Sequence, residues 1–198
     1  MRPGLLAAGL LLGWFAPMTA RPAAESPGSL PPEAVQLNRE AAAADPAAAL
    51  RLYVRSLRLA PSNVPALHGL GRILLDQERA AESLKVFRKL DELSPGDPDI
   101  RLGLATALSR LPGLRRADVR EALDIAGQAV ELRPESPAAW HLLSVLRHLN
   151  GEYTSAADAA RRAVELDAQA PVHPETTALY QQQENACRNA ILVFSPLD

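Results

Sequence analysis

The residues that end helices recur at a nearly constant spacing along this chain. Three prolines and one alanine close four similar segments: Pro61, Pro95, Pro134 and Ala168. The separations are 34 residues from 61 to 95, 39 from 95 to 134 and 34 from 134 to 168. Proline ends a helix because it lacks an amide hydrogen and its ring clashes with the preceding turn. A 34-residue helical period predicts stacked helix–turn–helix units, in which each unit packs on its neighbours.

The second segment, residues 64–97, shows the pattern most clearly. Its first half places four residues on one helical face, at i, i+3, i+4 and i+7: Leu67, Leu70, Gly71 and Leu74. Its second half carries another helical stripe: Ala80, Leu84, Phe87 and Leu90. These spacings predict two amphipathic helices. Because Gly71 has no side chain, it allows the second helix to approach the first closely.

These residues resemble the tetratricopeptide repeat, in which a large apolar residue precedes Leu-Gly and an aromatic, then alanine, another aromatic and a closing proline. The matching places hold Leu67, Leu70, Gly71, Leu74, Ser83, Phe87 and Pro95. The resemblance extends over repeats at about 30–63, 64–97, 98–136 and 137–170. It implies an all-α fold, a right-handed α-solenoid of about four such repeats.

The other three repeats depart from the family pattern at defined places. The fourth has the tryptophan of the family at Trp140, but Arg147 replaces an aromatic and Ala168 replaces the closing proline. The third is five residues longer than its neighbours, and we place the extra length at residues 109–120, between its helices. The first follows the pattern only in its second half. An end repeat has a neighbour on one side only, so a weaker pattern is expected there.

The two ends of the chain differ from the repeats. Residues 1–20 have one early positive charge, an apolar stretch at residues 5–16 and small residues before a predicted cleavage site after Ala20. This order is typical of a signal peptide, so we expect an exported protein, periplasmic or secreted. An uncleaved membrane anchor is the alternative, because nothing after Arg2 is charged before residue 21. Residues 21–32 are proline-rich and predict a flexible linker.

The region after the fourth repeat predicts one more helix at residues 175–190, followed by a tail at 191–198. The outer face of this helix is polar, as a capping helix requires, because the last repeat would otherwise expose its core. The tail begins with the apolar run Ile191–Phe194, which either packs back on the repeats or contacts a partner. Cys187 is the only cysteine, so we expect a buried thiol, or alternatively a link between two exported chains.

Charge and motif content exclude several classes of function. The formal net charge of −2 is near balance and gives no electrostatic case for nucleic-acid binding, which calls for a clustered basic face. His141 and His148 are seven residues apart and share a helix face, but no third ligand stands at a readable spacing, so no metal site is expected. The chain has no nucleophile, phosphate-loop or zinc-protease motif. We therefore expect no catalysis and no cofactor.

The resemblance also implies a binding surface, since the first helix of each repeat lines the concave side in this family. Nine residues occupy that face here: His68, Arg72, Asp76, Leu102, Thr106, Arg110, His141, Val145 and His148. The lining is mixed, weakly basic and partly apolar, which suits a partner peptide or helix with an acidic group. The alternative interpretation is that these positions are simply solvated.

Two further features bear on the choice of partner. Some family members hold a terminal carboxylate with lysine and asparagine, whereas His68 and Arg72 occupy those places here; arginine still binds a carboxylate through two hydrogen bonds. The 109–120 segment adds four arginines: Arg110, Arg115, Arg116 and Arg120. They suit either an acidic partner or membrane headgroups, or they serve solubility alone.

The prediction is therefore an exported, non-catalytic adaptor that holds a protein partner in its concave groove. The alternative is a structural subunit of an envelope complex that self-associates through Ile191–Phe194 or Cys187. Membrane contact is expected only through an uncleaved N-terminal segment.

Overall fold

The computed structural model describes residues 29–169 and 174–194, and within these ranges it contains nine α-helices and no strand. The helices are α1 Pro32–Ala43, α2 Pro46–Leu59, α3 Val64–Asp76, α4 Ala80–Leu93, α5 Pro98–Ser109, α6 Arg116–Leu132, α7 Pro137–Leu149, α8 Tyr153–Gln169 and α9 Pro174–Phe194. The predicted all-α architecture is confirmed for these residues. The predicted signal peptide, 1–20, and most of the linker lie outside them.

The helices stack in chain order as four hairpins and one additional helix. Each helix packs on the next, and the first helices of successive hairpins (α1, α3, α5 and α7) also touch one another. α9 packs on α8 and α7, as the first helix of a further hairpin would. No helix in the described residues is both long enough and apolar enough to cross a bilayer.

Short polar side chains begin several helices, each just before a proline in the first turn. The Asp45 carboxylate accepts hydrogen bonds from the amides of Ala47 and Ala48, both at 3.0 Å. These bonds, the one from Ala48 first, lower the pKa of Asp45. Asn63, Asp97 and Ser136 cap α3, α5 and α7 in the same way. Each cap satisfies amide donors that a helix N-terminus leaves without partners.

The ends of the second helices follow the closing residues of the repeats. α2, α4 and α6 each end two residues before a proline: Pro61, Pro95 and Pro134. The proline ring restricts the preceding residue to extended backbone, so the helix has to stop there. α8 instead continues through Ala168 to Gln169, because alanine imposes no such restriction.

The extra residues of the third repeat are divided between a turn and a longer helix. Residues 110–115 connect α5 to α6, whereas Arg116–Arg120 are already helical. α6 has 17 residues, compared with 14 in α2 and α4. The Arg115 side chain pairs with Asp118 at 2.8 Å, and the Arg115 amide donates to the same carboxylate. This side-chain hydrogen bond from Arg115 is the main cause of the lowered pKa of Asp118.

Phe87 fills the junction between the second and third repeats. Its ring, from α4, lies against Gly71 of α3 and Gly103 of α5. A methyl group at position 71 would come within 2.9 Å of the ring, and one at position 103 within 2.2 Å. The two glycines therefore provide the space that a large aromatic side chain needs between three helices. The role predicted for Gly71 extends to Gly103.

Buried polar groups fasten the first repeat to the second. Asn63 is fully buried, and its side-chain amide donates to Ser56 Oγ at 2.8 Å. Its carbonyl oxygen accepts from the Ala66 amide at 3.2 Å and from the Asn38 side chain at 3.1 Å. Ser56 in turn donates to the backbone carbonyl of Ala34. This network connects α1, α2 and α3 with its polar atoms satisfied.

α9 is longer than the predicted capping helix and includes the start of the predicted tail. It continues to Phe194, and the Phe194 ring stacks on Tyr153 with centroids 5.1 Å apart. Ile191 packs partly against the core beside Cys187. Leu192 and Val193 remain 78% and 71% exposed. The apolar run thus packs on one side and faces solvent on the other.

Candidate partner-binding groove

An open cavity of about 270 Å³ lies where α1, α2 and α3 meet. Ala41, Ala42 and Ala49 line its α1 and α2 walls. Alanine side chains are short, so this space stays open between the helices. The remaining wall comes mainly from α3, so this cavity lies on the predicted inner face of the second repeat.

The three α3 residues predicted for the groove all line this cavity. They are His68, Arg72 and Asp76, one on each successive turn. Arg72 and Asp76 are exposed, and within the described part of the chain neither takes part in a salt bridge. His68 is half-buried, with its ring edge-on to Phe87 at 6.0 Å. The cavity therefore offers a guanidinium, a carboxylate and an imidazole side by side.

Tyr53 forms another part of the cavity wall, which the sequence interpretation did not assign to the site. Its ring lies against Gly69 of α3, where a methyl group would come within 2.3 Å of the ring. The presence of glycine at this position lets the aromatic ring lie against the α3 backbone. The sequence does contain a sign of this open wall, the alanine-rich stretch at residues 41–49. The sequence analysis interpreted that stretch only as the weak pattern of an end repeat.

The three α5 residues lie away from this cavity. Leu102 is half-buried and packs against the main core. The Thr106 hydroxyl donates to the Leu102 carbonyl at 2.7 Å, so its proton is already used within its own helix. Arg110 follows the last residue of α5 and is exposed. Of these three, Arg110 alone presents a charged group to solvent.

The α7 residues lie close to the capping helix. The His141 ring is 4.9 Å from the ring of Tyr180, and His148 Nδ1 is 3.6 Å from Cys187 Sγ. Burial lowers the pKa of His141 to about 4, so this ring is neutral near pH 7. Val145, between them on the same helix, is half-buried. α9 thus covers much of the surface that the sequence assigned to the groove on α7.

The structure therefore divides the nine predicted residues into three groups. The α3 residues line one wall of an open cavity. At α5, Leu102 and Thr106 are partly buried and Arg110 is exposed, and the α7 residues are partly covered by α9. The role of all nine in binding stays a prediction.

Cys187 and its neighbours form a closed polar cluster. The thiol is fully buried and lies 3.6 Å from Ser144 Oγ and 3.4 Å from Gln183 Nε2. A buried thiol does not reach a second chain unless α9 moves away. Across residues 29–169 and 174–194, no three histidine, cysteine, aspartate or glutamate side chains are grouped so that they could hold a metal ion.

Comparison with solved structures gives the same fold. TTC0263, a thermophilic TPR protein of Thermus thermophilus, is 22% identical with a TM-score of 0.63, covering 83% of this chain and 93% of that one. MamA from Desulfovibrio magneticus RS-1, residues 41 to the end, is 16% identical with a TM-score of 0.61, covering 83% and 94%. The type III secretion translocator chaperone SycD of Yersinia enterocolitica is 18% identical with a TM-score of 0.55, covering 64% and 92%.

The sequence comparisons point in the same direction. No curated protein matches the chain significantly. The family model described as "Tetratricopeptide repeat" matches residues 32–98 and 114–171. The gap between the two matches spans α5 and most of the turn that follows it, next to the extra residues of the third repeat. With its helical hairpins stacked in register and most of its length matched, the chain belongs to the tetratricopeptide repeat family.

Proposed function

We propose that this protein is a non-catalytic adaptor that binds a partner protein at the cavity between α1, α2 and α3. Tetratricopeptide repeat proteins generally mediate protein–protein interactions, and their fold is generally non-catalytic. The observation that carries the proposal is Arg72, an exposed arginine without a salt bridge in the described residues, at the edge of an alanine-lined cavity. A guanidinium in this setting is free to bind a carboxylate of the partner.

The chemistry of the cavity defines the partner segment. An apolar side chain would enter between Ala41, Ala49 and Tyr53, and an acidic group next to it would reach Arg72. The segment is an extended peptide or one face of a helix, because both present such a pair of side chains. A stacked helical frame loses little conformational entropy on binding, so even a shallow site can hold a segment of this kind.

Photo-crosslinking in cells tests the assignment of this surface. A photoreactive amino acid at position 72 should capture a protein, whereas the same amino acid at Gln128, an exposed residue of α6, should not. The crosslinked segment is then identified by mass spectrometry and synthesised. Equal capture from both positions, or capture from neither, contradicts the proposed surface.

The synthesised segment allows a direct measurement of affinity. Arg72→Glu should weaken binding at least about 10-fold, because it places a carboxylate against the partner's acidic group. Arg162→Glu on α8 makes the same charge change away from the cavity and should leave the affinity unchanged. Arg110→Glu tests separately whether the bound segment reaches α5. If Arg72→Glu binds the segment as tightly as the wild type, Arg72 does not contact the acidic group of the partner.

We also propose that the protein is exported and loses residues 1–20. The support is the sequence order alone: Arg2, an apolar stretch, and small residues up to Ala20. Intact-mass measurement of the protein from its native cell should find Arg21 at the N-terminus. A full-length mass together with membrane fractionation would favour the uncleaved anchor instead.

One observation favours a second candidate function, self-association through α9. Leu192 and Val193 are strongly exposed next to Phe194, whose ring is also mostly exposed. Light scattering across a concentration series tests this function. A dimer that dissociates in the variant Leu192→Asp/Val193→Asp would support it, and a monomer at every concentration would exclude it.

A further inference from the structure

Charge is distributed unevenly along this nearly neutral chain. Residues 46–75 contain no aspartate or glutamate but include four arginines: Arg51, Arg55, Arg58 and Arg72. The whole chain carries a formal net charge of −2, so the rest of the molecule is correspondingly acidic. Arg72 belongs to the cavity already described. The other three are all on α2 and need a separate explanation.

These three arginines form a stripe on the outer face of α2. Their spacing of four and three residues places them on one side of the helix, and all three are exposed. The opposite side of α2 is buried, through Ala49, Tyr53 and Ser56. None of the three is in a salt bridge with any described residue. Asp45, at the start of α2, is an acid close enough to Arg51 for its pKa to be affected.

The stripe continues onto α4, the second helix of the next repeat. Lys85 and Lys89 stand 34 residues after Arg51 and Arg55, at equivalent places of the repeat, and both are exposed. The place of Arg58 is taken by Glu92, so α4 carries two of the three cations and one acid. Neither lysine is in a salt bridge with a described residue. We call the surface formed by Arg51, Arg55, Arg58, Lys85 and Lys89 the basic face. It covers two neighbouring helices and five cationic side chains.

Side chains on the outer faces of successive second helices lie within reach of one another. Arg88 of α4 pairs with Glu121 of α6 at 3.2 Å, across one repeat. On α6, Asp124 and Gln128 replace the two cations found at the equivalent positions of α2 and α4. The basic face is therefore confined to the first two repeats and ends at an acidic third one.

We propose that the basic face binds the anionic headgroups of a lipid bilayer. Headgroup phosphates attract arginine and lysine, and a bilayer presents them over a broad surface, as this face requires. Leu59 and Leu93, at the ends of α2 and α4, are 44% and 39% exposed beside the cations. Cations flanked by exposed apolar side chains are the combination that adheres to a membrane interface.

The position of the basic face in the chain also favours a bilayer. α2 packs on α1, and the eleven residues 21–31 before α1 can span at most about 40 Å. The apolar stretch at residues 5–16 precedes them. A bilayer that holds or has just released this stretch is therefore within reach of the basic face. The aromatic residues of α2 and α4, Tyr53 and Phe87, are buried, so the face has no ring on which nucleic-acid bases could stack.

Binding at this face is independent of the groove. Tyr53 contacts the cavity from the buried side of α2, whereas the arginine stripe lies on the opposite side. A bilayer and a partner segment can therefore be bound at the same time. A mutation that abolishes bilayer binding should leave partner binding at the cavity intact, and the reverse. The two proposals can therefore be refuted independently.

Vesicle co-sedimentation of the full chain tests the inference. The probes are vesicles of phosphatidylcholine alone and vesicles with about 30% phosphatidylglycerol, because only the second kind carries surface charge. The wild type should prefer the anionic vesicles, and the preference should fall as salt is raised. Arg51→Glu/Arg55→Glu/Arg58→Glu should reduce that preference by more than roughly 100-fold, since each lost cation costs about 5-fold near an anionic surface and the surface also repels the new carboxylates.

A matched control separates the local face from the net charge. Arg161→Glu/Arg162→Glu/Arg188→Glu makes the same total charge change on α8 and α9, at exposed positions away from the basic face, and should keep the preference. Arg51→Gln/Arg55→Gln/Arg58→Gln should give a smaller loss of roughly 100-fold, because it removes the three cations without adding carboxylates. Circular dichroism should show all variants folded because the positions are exposed. Equal losses in the two glutamate variants, or no anionic preference in the wild type, would overturn the inference. Binding of soluble polyglutamate or an oligonucleotide in place of vesicles would overturn it in favour of that polyanion.

Discussion

At the scale of single residues, the size of a few side chains determines how closely the helices approach. Phe87 packs at Gly71 and Gly103, and Tyr53 packs at Gly69, so each large ring is matched by a missing side chain on a neighbouring helix. The Leu-Gly pair of the family pattern predicted the role of Gly71. Gly69 and Gly103 were not predicted, because their neighbours come from another repeat and the pattern of one repeat does not describe them.

A pair of glycine substitutions tests this matching. Gly103→Ala should destabilise the protein by about 1–3 kcal/mol, because the new methyl group overlaps the buried Phe87 ring. Gly127→Ala on α6 meets nothing within 4 Å and should stabilise by up to about 1 kcal/mol, as alanine does inside a helix. Urea unfolding measures both. The same sign for the two changes would contradict the packing described.

Asn63 provides a second test at this scale. Asn63→Ala removes a helix cap and also leaves the buried Ser56 hydroxyl and Ala66 amide without this partner, so it should cost about 2–3 kcal/mol. Ser136→Ala removes a cap at the same place of the fourth repeat, where the surroundings are only partly buried, and should cost about 1 kcal/mol. Equal costs in thermal unfolding would show that Asn63 acts only as a cap.

At the scale of helices, the sequence predicted the boundaries best where a single residue controls them. Proline stops α2, α4 and α6, and alanine at position 168 lets α8 continue. The length of α9 was predicted less well, because the sequence Ile191–Phe194 is compatible with either a helix or an irregular tail. The contact of Phe194 with Tyr153, which the sequence does not show, favours the helix. The capping helix was predicted, but its contacts with His141 and His148 were not, since they depend on how two distant segments pack.

The packing of α9 should make stability depend on pH. Burial lowers the pKa of His141 from 6.5 to about 4, so the unfolded chain binds this proton more tightly than the folded one. Stability is therefore lost as the pH falls from about 6.5 towards 4, with a contribution of about 2 kcal/mol already lost at pH 5. Urea unfolding at pH 7 and pH 5 should show a smaller loss in His141→Phe than in the wild type. Identical losses would mean that His141 is not enclosed in solution.

At the scale of the molecule, stability depends on the junctions between repeats. Phe87, on α4, contacts α3 of its own repeat and α5 of the next, so Phe87→Ala should cost about 3–5 kcal/mol, as large cavities do. Hydrogen exchange should then rise in α3, α4 and α5 together, because the cavity opens at the interface that they share. Faster exchange confined to α4 would contradict the stacked architecture.

The candidate site was predictable at this scale only in part. The family pattern placed His68, Arg72 and Asp76 on one side of α3, and the structure brings them to one cavity. The alanine walls of the cavity and the enclosure of His141 depend on neighbouring helices. The pattern of a single repeat contains no information about those neighbours. The basic face was missed for a related reason, since its charges lie on separate helices and the net charge of the chain conceals them.

The position of α9 also limits the length of a peptide that can bind along the inner helices. Because this helix lies against α7, His141 and His148 are already in contact with α9, whereas the cavity beside α1 and α3 is open. Two steps between neighbouring inner helices, from α1 to α5, measure about 16–20 Å, which an extended chain crosses in about five or six residues. A longer ligand that continues to the fourth repeat must bind beside α9 or displace it.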